Sequence, residues 1–245
     1  MQLLLGCHDP RNPARRHENS SRGIHLPVTI PRGTMLALLG DPGAGAGQVA
    51  RKVAGVTTAG TGRVLLGGVD ASTLSRSELR RLVGYVSPET GFFQGTVRDN
   101  LLLGCPTASD DDLWGLLSSM FGDDVRDHLR AGLDTEVDLR GRRLNAGSTR
   151  LLAIARAAVR TPDVLVLDRI VDSFDGDALA RLVRARTTVL DGITLVVATS
   201  RSGIAGLADH VVTVGDGGSP GPPGRSDPSS REPGTSVQHA RTPGS

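Results

Sequence analysis

Short apolar runs, each closed by a glycine or a carboxylate, set the rhythm of this chain. Met35–Leu39 is apolar throughout and stops at Gly40, and Val164–Leu167 is apolar throughout and stops at Asp168. Runs of this kind, without polar alternation, predict strands buried on both faces of a parallel sheet. Further strands are expected at Ile24–Ile30, Arg63–Leu66, Leu82–Val86, Thr194–Ala198 and Val211–Val214. Helical spacing takes over from Val49–Val53, over Ser77–Leu82, over Thr149–Val159 and over Ala178–Leu190. The second of these opens with Ser75 three positions before Glu78, a capping box. Asp110-Asp111-Asp112 opens another helix, where acidic side chains suit the positive end of the dipole and read as a solvated helix start. Strands alternating with helices predict an α/β sheet. A mainly helical stretch within about residues 95–160 adds a second, helical subdomain. Residues 1–23 carry no apolar period and are expected to be a loose arm, and residues 216–245, rich in Gly, Pro, Ser and Arg, a disordered tail. The folded domain is thus expected to span 24–215.

Composition narrows the function classes. A net charge of +2 over 245 residues leaves no electrostatic footprint for nucleic acid. One Trp, one Tyr and four Phe give no base-stacking platform. Lys52 is the only lysine among 28 basic residues, a bias that looks compositional rather than functional. Cys7 and Cys105 are expected as free thiols, and the six histidines (His8, His17, His25, His128, His210, His239) show no metal-ligand spacing. No stretch approaches the ~18–20 apolar residues of a membrane helix, and the first residues lack the basic start of a signal peptide. The expectation is a cytoplasmic protein, peripheral on the inner face of the cell membrane through a partner.

The segment Leu39-Gly40-Asp41-Pro42-Gly43-Ala44-Gly45-Ala46-Gly47-Gln48 has the glycine spacing of the phosphate-binding loop G-x-x-x-x-G-K-[ST]. Its strand-loop-helix setting is also right. Its chemistry is not: Ala46 stands where the lysine contacts the β- and γ-phosphates, and Gly47 where a hydroxyl holds magnesium. Losing charge-assisted bonds of roughly 1.5–3 kcal/mol each lowers affinity about ten- to a hundredfold per bond. Arg51 and Lys52 lie five and six positions past Ala46 and are expected to project from another face of the helix. Two readings of the loop stand side by side. Either backbone N–H groups from Gly43 to Gln48 form a weak anion nest, or the glycines are kept only for a tight turn between strand and helix.

Motifs in a fixed order extend the pattern from about residue 24 to 215. They are Gly62-Arg63-Val64-Leu65, Val83-Gly84-Tyr85-Val86-Ser87-Pro88-Glu89-Thr90, Gly95-Thr96-Val97-Arg98-Asp99-Asn100-Leu101, Gly132-Leu133-Asp134-Thr135-Glu136-Val137, Leu144-Asn145-Ala146-Gly147-Ser148, Ala153-Ile154-Ala155-Arg156-Ala157 and Pro162-Asp163-Val164 through Asp168. This order resembles the ATP-binding cassette (ABC) family, specifically the nucleotide-binding domains of exporters. The resemblance implies a P-loop NTPase-like core sheet with an inserted helical subdomain, and ATP with Mg2+ as ligands.

The same resemblance locates the departures. Asp168 ends the Walker B strand and is the one residue left to hold water on magnesium, weakly. Arg169 replaces the glutamate that polarises the attacking water, and a permanent cation accepts no proton. It is expected to pair with phosphate or with Asp168. Pro88 maps to the Q-loop glutamine and Ser200 to the switch histidine, and neither supplies the family's contact. Leu144, Asn145, Ala146, Gly147 and Ser148 form an altered signature that keeps one glycine and a polar side chain. Asp175, in the D-loop segment Asp172-Ser173-Phe174-Asp175, reads equally as an interface residue or as a helix cap. No aromatic precedes Tyr85 to stack an adenine. The resemblance with these losses implies weak ATP and Mg2+ binding, no hydrolysis, and a partner that is a membrane permease or a second cassette in a homo- or heterodimer. The alternative is a scaffold or decayed remnant that binds no nucleotide.

Overall fold

The computed structural model describes residues 3–6, 28–57, 63–122, 125, 129–139 and 144–215. In chain order the strands are β1 (Leu3–Gly6), β2 (Val28–Ile30), β3 (Met35–Leu39), β4 (Arg63–Leu66), β5 (Val69–Asp70), β6 (Val83–Val86), β7 (Gly95–Thr96), β8 (Glu136–Val137), β9 (Val164–Asp168), β10 (Thr194–Thr199) and β11 (His210–Thr213). The helices are α1 (Ala46–Val53), α2 (Arg76–Leu82), α3 (Val97–Leu102), α4 (Asp110–Phe121), α5 (Ala146–Ala158), α6 (Gly176–Arg186) and α7 (Ser202–Ala205).

A parallel sheet in the order β11-β3-β10-β9-β6 forms the centre. Its inner strands are apolar except at Thr194, Thr199 and Asp168 at their ends, because both faces are covered. Leu36, Leu38, Val164, Val166, Val196 and Ala198 face one cluster, which also holds Ala46, Ala50 and Val53 of α1 and Val64 and Leu66 of β4. The alternate positions Met35, Leu165, Leu167, Leu195 and Val197 face the other, with Leu117 and Phe121 of α4, Leu151 and Ile154 of α5 and Leu182 of α6. A second, antiparallel sheet runs β2-β1-β4-β5. The fold is the expected α/β, P-loop NTPase-like arrangement.

Differences from the sequence expectations have local causes. Leu3–Gly6, assigned to a loose arm, is a strand paired with both β2 and β4. Four residues show no period long enough to detect, and the pairing is wholly long-range. Helices α1 and α5 each begin three residues before the expected Val49 and Thr149, at Ala46 and Ala146. Both first turns hold glycine, whose low propensity masks a helix that the preceding loop starts. Helix α6 runs Gly176–Arg186 rather than Ala178–Leu190. The capping box of Ser75 and Glu78 is present as expected. Cys105 is a free thiol. The start of the expected strand at Ile24, Cys7, the arm beyond Gly6 and the tail from 216 lie outside the described residues.

Candidate phosphate site

The register of the central sheet decides where the site lies. Thr199 of β10 pairs with Leu39 of β3, Ala198 pairs with Asp168 of β9, and Thr213 of β11 pairs with Leu39. The carboxyl ends of four adjacent parallel strands therefore open on one edge, where open α/β sheets hold their ligands. Just past them lies a cleft of about 660 Å3 lined by Gly40, Asp41, Gly43, Ala44, Ser200 and Thr213 among others.

The glycine loop wraps this edge. Gly40 N–H donates to Thr199 O at 3.0 Å and Ala44 N–H to Asp41 O at 2.9 Å. Gly43 and Gly45 sit at φ 94° and 102°, a left-handed region that a side chain would strain. Gly45 is the N-cap of α1 and offers no side-chain cap. The first amides of any helix lack partners inside it, so those of Ala46, Gly47 and Gln48 are left to the loop. Ala46 and Gly47 are buried while Gln48 is exposed.

Asp168 is only 3% exposed, and its Oδ2 accepts from Arg51 Nη1 at 3.0 Å and from the Tyr85 hydroxyl at 2.9 Å. Burial first, and then the bond to this carboxylate, push the Tyr85 phenol up to about 12. Contrary to the expectation from its spacing, Arg51 points into the site. It lies five positions past Ala46 but four past Gly47, and i,i+4 residues share a helix face. With no side chain at Gly47, the guanidinium folds back over that turn. A Cβ on Gly47 would come 2.8 Å from Asp168 Oδ1 and 3.4 Å from Arg51 Nη1.

Magnesium does not fit these residues. It demands near-octahedral oxygen ligands at about 2.0–2.1 Å. Position 47 supplies no side-chain oxygen, and Oδ2 of Asp168 already holds a cation and a phenol. No group of three or more His, Cys, Asp or Glu able to hold a metal exists among the described residues.

Arg169 follows in the left-handed region at φ 57°, a conformation costing a non-glycine residue roughly 1–2 kcal/mol. It does not pair with Asp168. Its Nη2 donates to Gly40 O at 2.9 Å and Asp41 O at 2.8 Å, clamping the start of the glycine loop. Its Nη1 lies 3.4 Å from Asp172 Oδ2. Asp172 in turn accepts from the Thr199 hydroxyl and from the Ser200 hydroxyl at 3.1 Å. Ser200 thus reaches the cleft wall with its hydroxyl committed to Asp172. Arg201 Nη1 donates to Phe174 O at 2.8 Å, tying down the same turn.

The remaining candidates stand apart from this cluster. Pro88 is exposed in a turn after β6, where Thr90 N–H donates to Ser87 O at 3.0 Å. Beside it the Ser87 hydroxyl holds the Glu89 carboxyl below its ordinary range. Asn145 is the N-cap of α5, its side chain accepting from Ser148 N–H at 2.7 Å. Leu144 and Ser148 are buried, while Asn145 and Ala146 are exposed and Gly147 is half-buried. Asp175 caps α6 through Ala178 N–H at 2.8 Å. Three residues of the cluster escaped the sequence reading: Arg51, Tyr85 and Asp172. The signals were the i,i+4 step from Gly47, the place of Tyr85 on the strand beside β9, and the i,i+3 step from Arg169.

The family model described as ABC transporter matches residues 25–171. The Bacillus subtilis ABC transporter ATP-binding protein YknV is 29% identical over 202 residues, covering 82% of this chain and 33% of that protein. The ABC transporter ATP-binding protein y4gM of Sinorhizobium fredii is 31% identical over 210 residues, covering 82% of this chain and 35% of that protein. The chain thus spans about a third of the length of these curated relatives. Among solved structures, a bacterial Atm1-family ABC exporter with ATP bound shares the fold, with a TM-score of 0.73 and 23% identity over 88% of this chain and 37% of that one. A matching family model over most of the sheet, the loop and the Asp168 strand settles the family: the chain belongs to the ABC transporter family and carries its ATP-binding cassette.

Proposed function

We propose that this chain is the cassette of an exporter-type transporter that binds ATP weakly, does not hydrolyse it, and acts as a non-catalytic or regulatory subunit. The observation that carries this reading is Arg169. The position that needs a proton acceptor holds a guanidinium spent on Gly40 O and Asp41 O. The pairing of Asp168 with Arg51 supports it further by occupying one oxygen of the carboxylate that would orient water on magnesium. The backbone amides at the start of α1 remain a weak anion site.

The partner is a membrane permease or a second cassette, which would keep the chain peripheral on the inner face of the membrane. No helix among the described residues is long and apolar enough to cross a membrane. The Pro88–Leu103 region is the docking face in this reading, with Phe93 62% exposed and Leu103 55% exposed. Asn100, fully buried, holds that loop by accepting from Phe93 N–H and donating to Phe93 O, both at 2.9 Å, so Phe93 is presented outward. The altered signature and Asp175 would face the partner cassette.

Restoring the chemistry tests the reading. Ala46→Lys alone should leave ATP turnover at background, because Arg51 and Arg169 still occupy the site. Ala46→Lys, Gly47→Ser, Arg51→Gln and Arg169→Glu together should raise it. Turnover by the unaltered chain would refute the proposal. Co-purification with an export permease under mild extraction tests the partner, and a clean monomer would count against it. A second reading, a scaffold that binds no nucleotide, has one observation in its favour. A Cβ at Gly40 would lie 2.4 Å from Val214 O, so packing alone demands glycine there.

A further inference from the structure

We infer that Arg51 takes the place of magnesium as the cation of this site, so that the ligand it accepts is a nucleoside polyphosphate without its metal. The inference rests on the nucleotide-binding reading above and specifies the form of the ligand.

Three observations bear on the first turn of α1. Magnesium bonds oxygen at about 2.0–2.1 Å, so a metal held by a hydroxyl at position 47 would lie roughly 3 Å from that Cβ. Arg51 Nη1 already sits 3.4 Å from where that Cβ would be. The carboxylate that would orient the metal's water instead holds Arg51 at 3.0 Å. The Tyr85 hydroxyl, donating to the same Oδ2 at 2.9 Å, fixes that oxygen from the other side.

The arginine is anchored but not used up. A guanidinium has five N–H donors, and one of them is on Asp168. Its side chain is 42% exposed although Asp168 is buried, so it is open to an arriving ligand. Guanidinium matches phosphate geometry and stays charged at any working pH. A divalent ion arriving with the phosphates would meet this fixed cation at close range and find no ligand at position 47. The metal-free polyphosphate carries more negative charge and is drawn more strongly to this guanidinium, against repulsion from the paired Asp168 and from Asp41 on the cleft wall.

Equilibrium titration of the full chain with a fluorescent ATP analogue, in EDTA and in excess Mg2+, tests this. Binding in EDTA should be at least about tenfold tighter than in Mg2+. Arg51→Met should weaken the EDTA affinity roughly ten- to a hundredfold, with Arg51→Lys recovering part of it. Should Arg51→Met lose its fold by circular dichroism, the EDTA–Mg2+ contrast in the unaltered chain decides alone. Binding that is equal in the two buffers, or tighter with Mg2+, would overturn the inference and leave the nucleotide-binding reading intact. No binding in either buffer up to millimolar analogue would remove that reading, and this inference with it.

Discussion

On the proposed reading, the glycine loop and the signature segment both depart from the exporter-cassette pattern that the sequence resembles, with opposite structural consequences. At the signature, Asn145 does a serine's structural work: its oxygen accepts from Ser148 N–H and caps α5. A cap needs only an acceptor at the right place, and several residue types supply one. At the glycine loop no substitute does the original work. The room left by small residues is taken by two arginines, one on Asp168 and one on the carbonyls of Gly40 and Asp41. Architecture survives exchange of side chains more readily than chemistry, because chemistry needs one kind of group at one point.

Substitutions in the two regions test this contrast. Gly40→Ala should cost the most, about 3 kcal/mol, since its Cβ would land on Val214 O and neither backbone can move away cheaply. Urea unfolding measures it, and a neutral result would mean the glycine is kept for a ligand rather than for packing. Arg169→Ala should follow at about 2 kcal/mol, through loss of the charged bonds to the two loop carbonyls. Should it prove neutral, the clamp contributes nothing. On the signature side, Asn145→Ala should cost only about 1 kcal/mol and Asn145→Ser close to nothing, because a hydroxyl also caps.

The smallest effect is one of pH. Tyr85 is the only tyrosine in the chain, so tyrosinate absorbance reads it alone. Its phenol should titrate near 12 in the folded protein and near 10 once unfolded. A folded pKa above the unfolded one means the native state holds its proton longer. The associated stability is therefore complete below about pH 10 and declines as pH rises towards 12. Tyr85→Phe should remove that decline, and a folded titration near 10 would show that the phenol does not hold Asp168.

Much of this was legible in the sequence. The apolar runs at Met35–Leu39 and Val164–Asp168 gave the central strands with their observed bounds, because strands covered on both faces need no partner information to be recognised. The glycine spacing and the motif order located the loop, Asp168 and Arg169. Contacts that join distant segments were not legible. Tyr85 and Asp168 are 83 positions apart and Arg51 and Asp168 are 117 apart, and only the parallel register brings them together. The strand Leu3–Gly6 was hidden for the same reason. Arg51 was misjudged by counting its helical step from Ala46 instead of Gly47, a one-residue change that turns it by about 100°.

The most direct test of the central claim is steady-state phosphate release from Mg-ATP by the full chain, alone and with an export permease in vesicles. The rate should stay at background in both cases, unchanged by Asp168→Asn. Magnesium-dependent turnover that Asp168→Asn abolishes would show that the arginines leave the site when nucleotide arrives, and would refute a non-hydrolysing cassette.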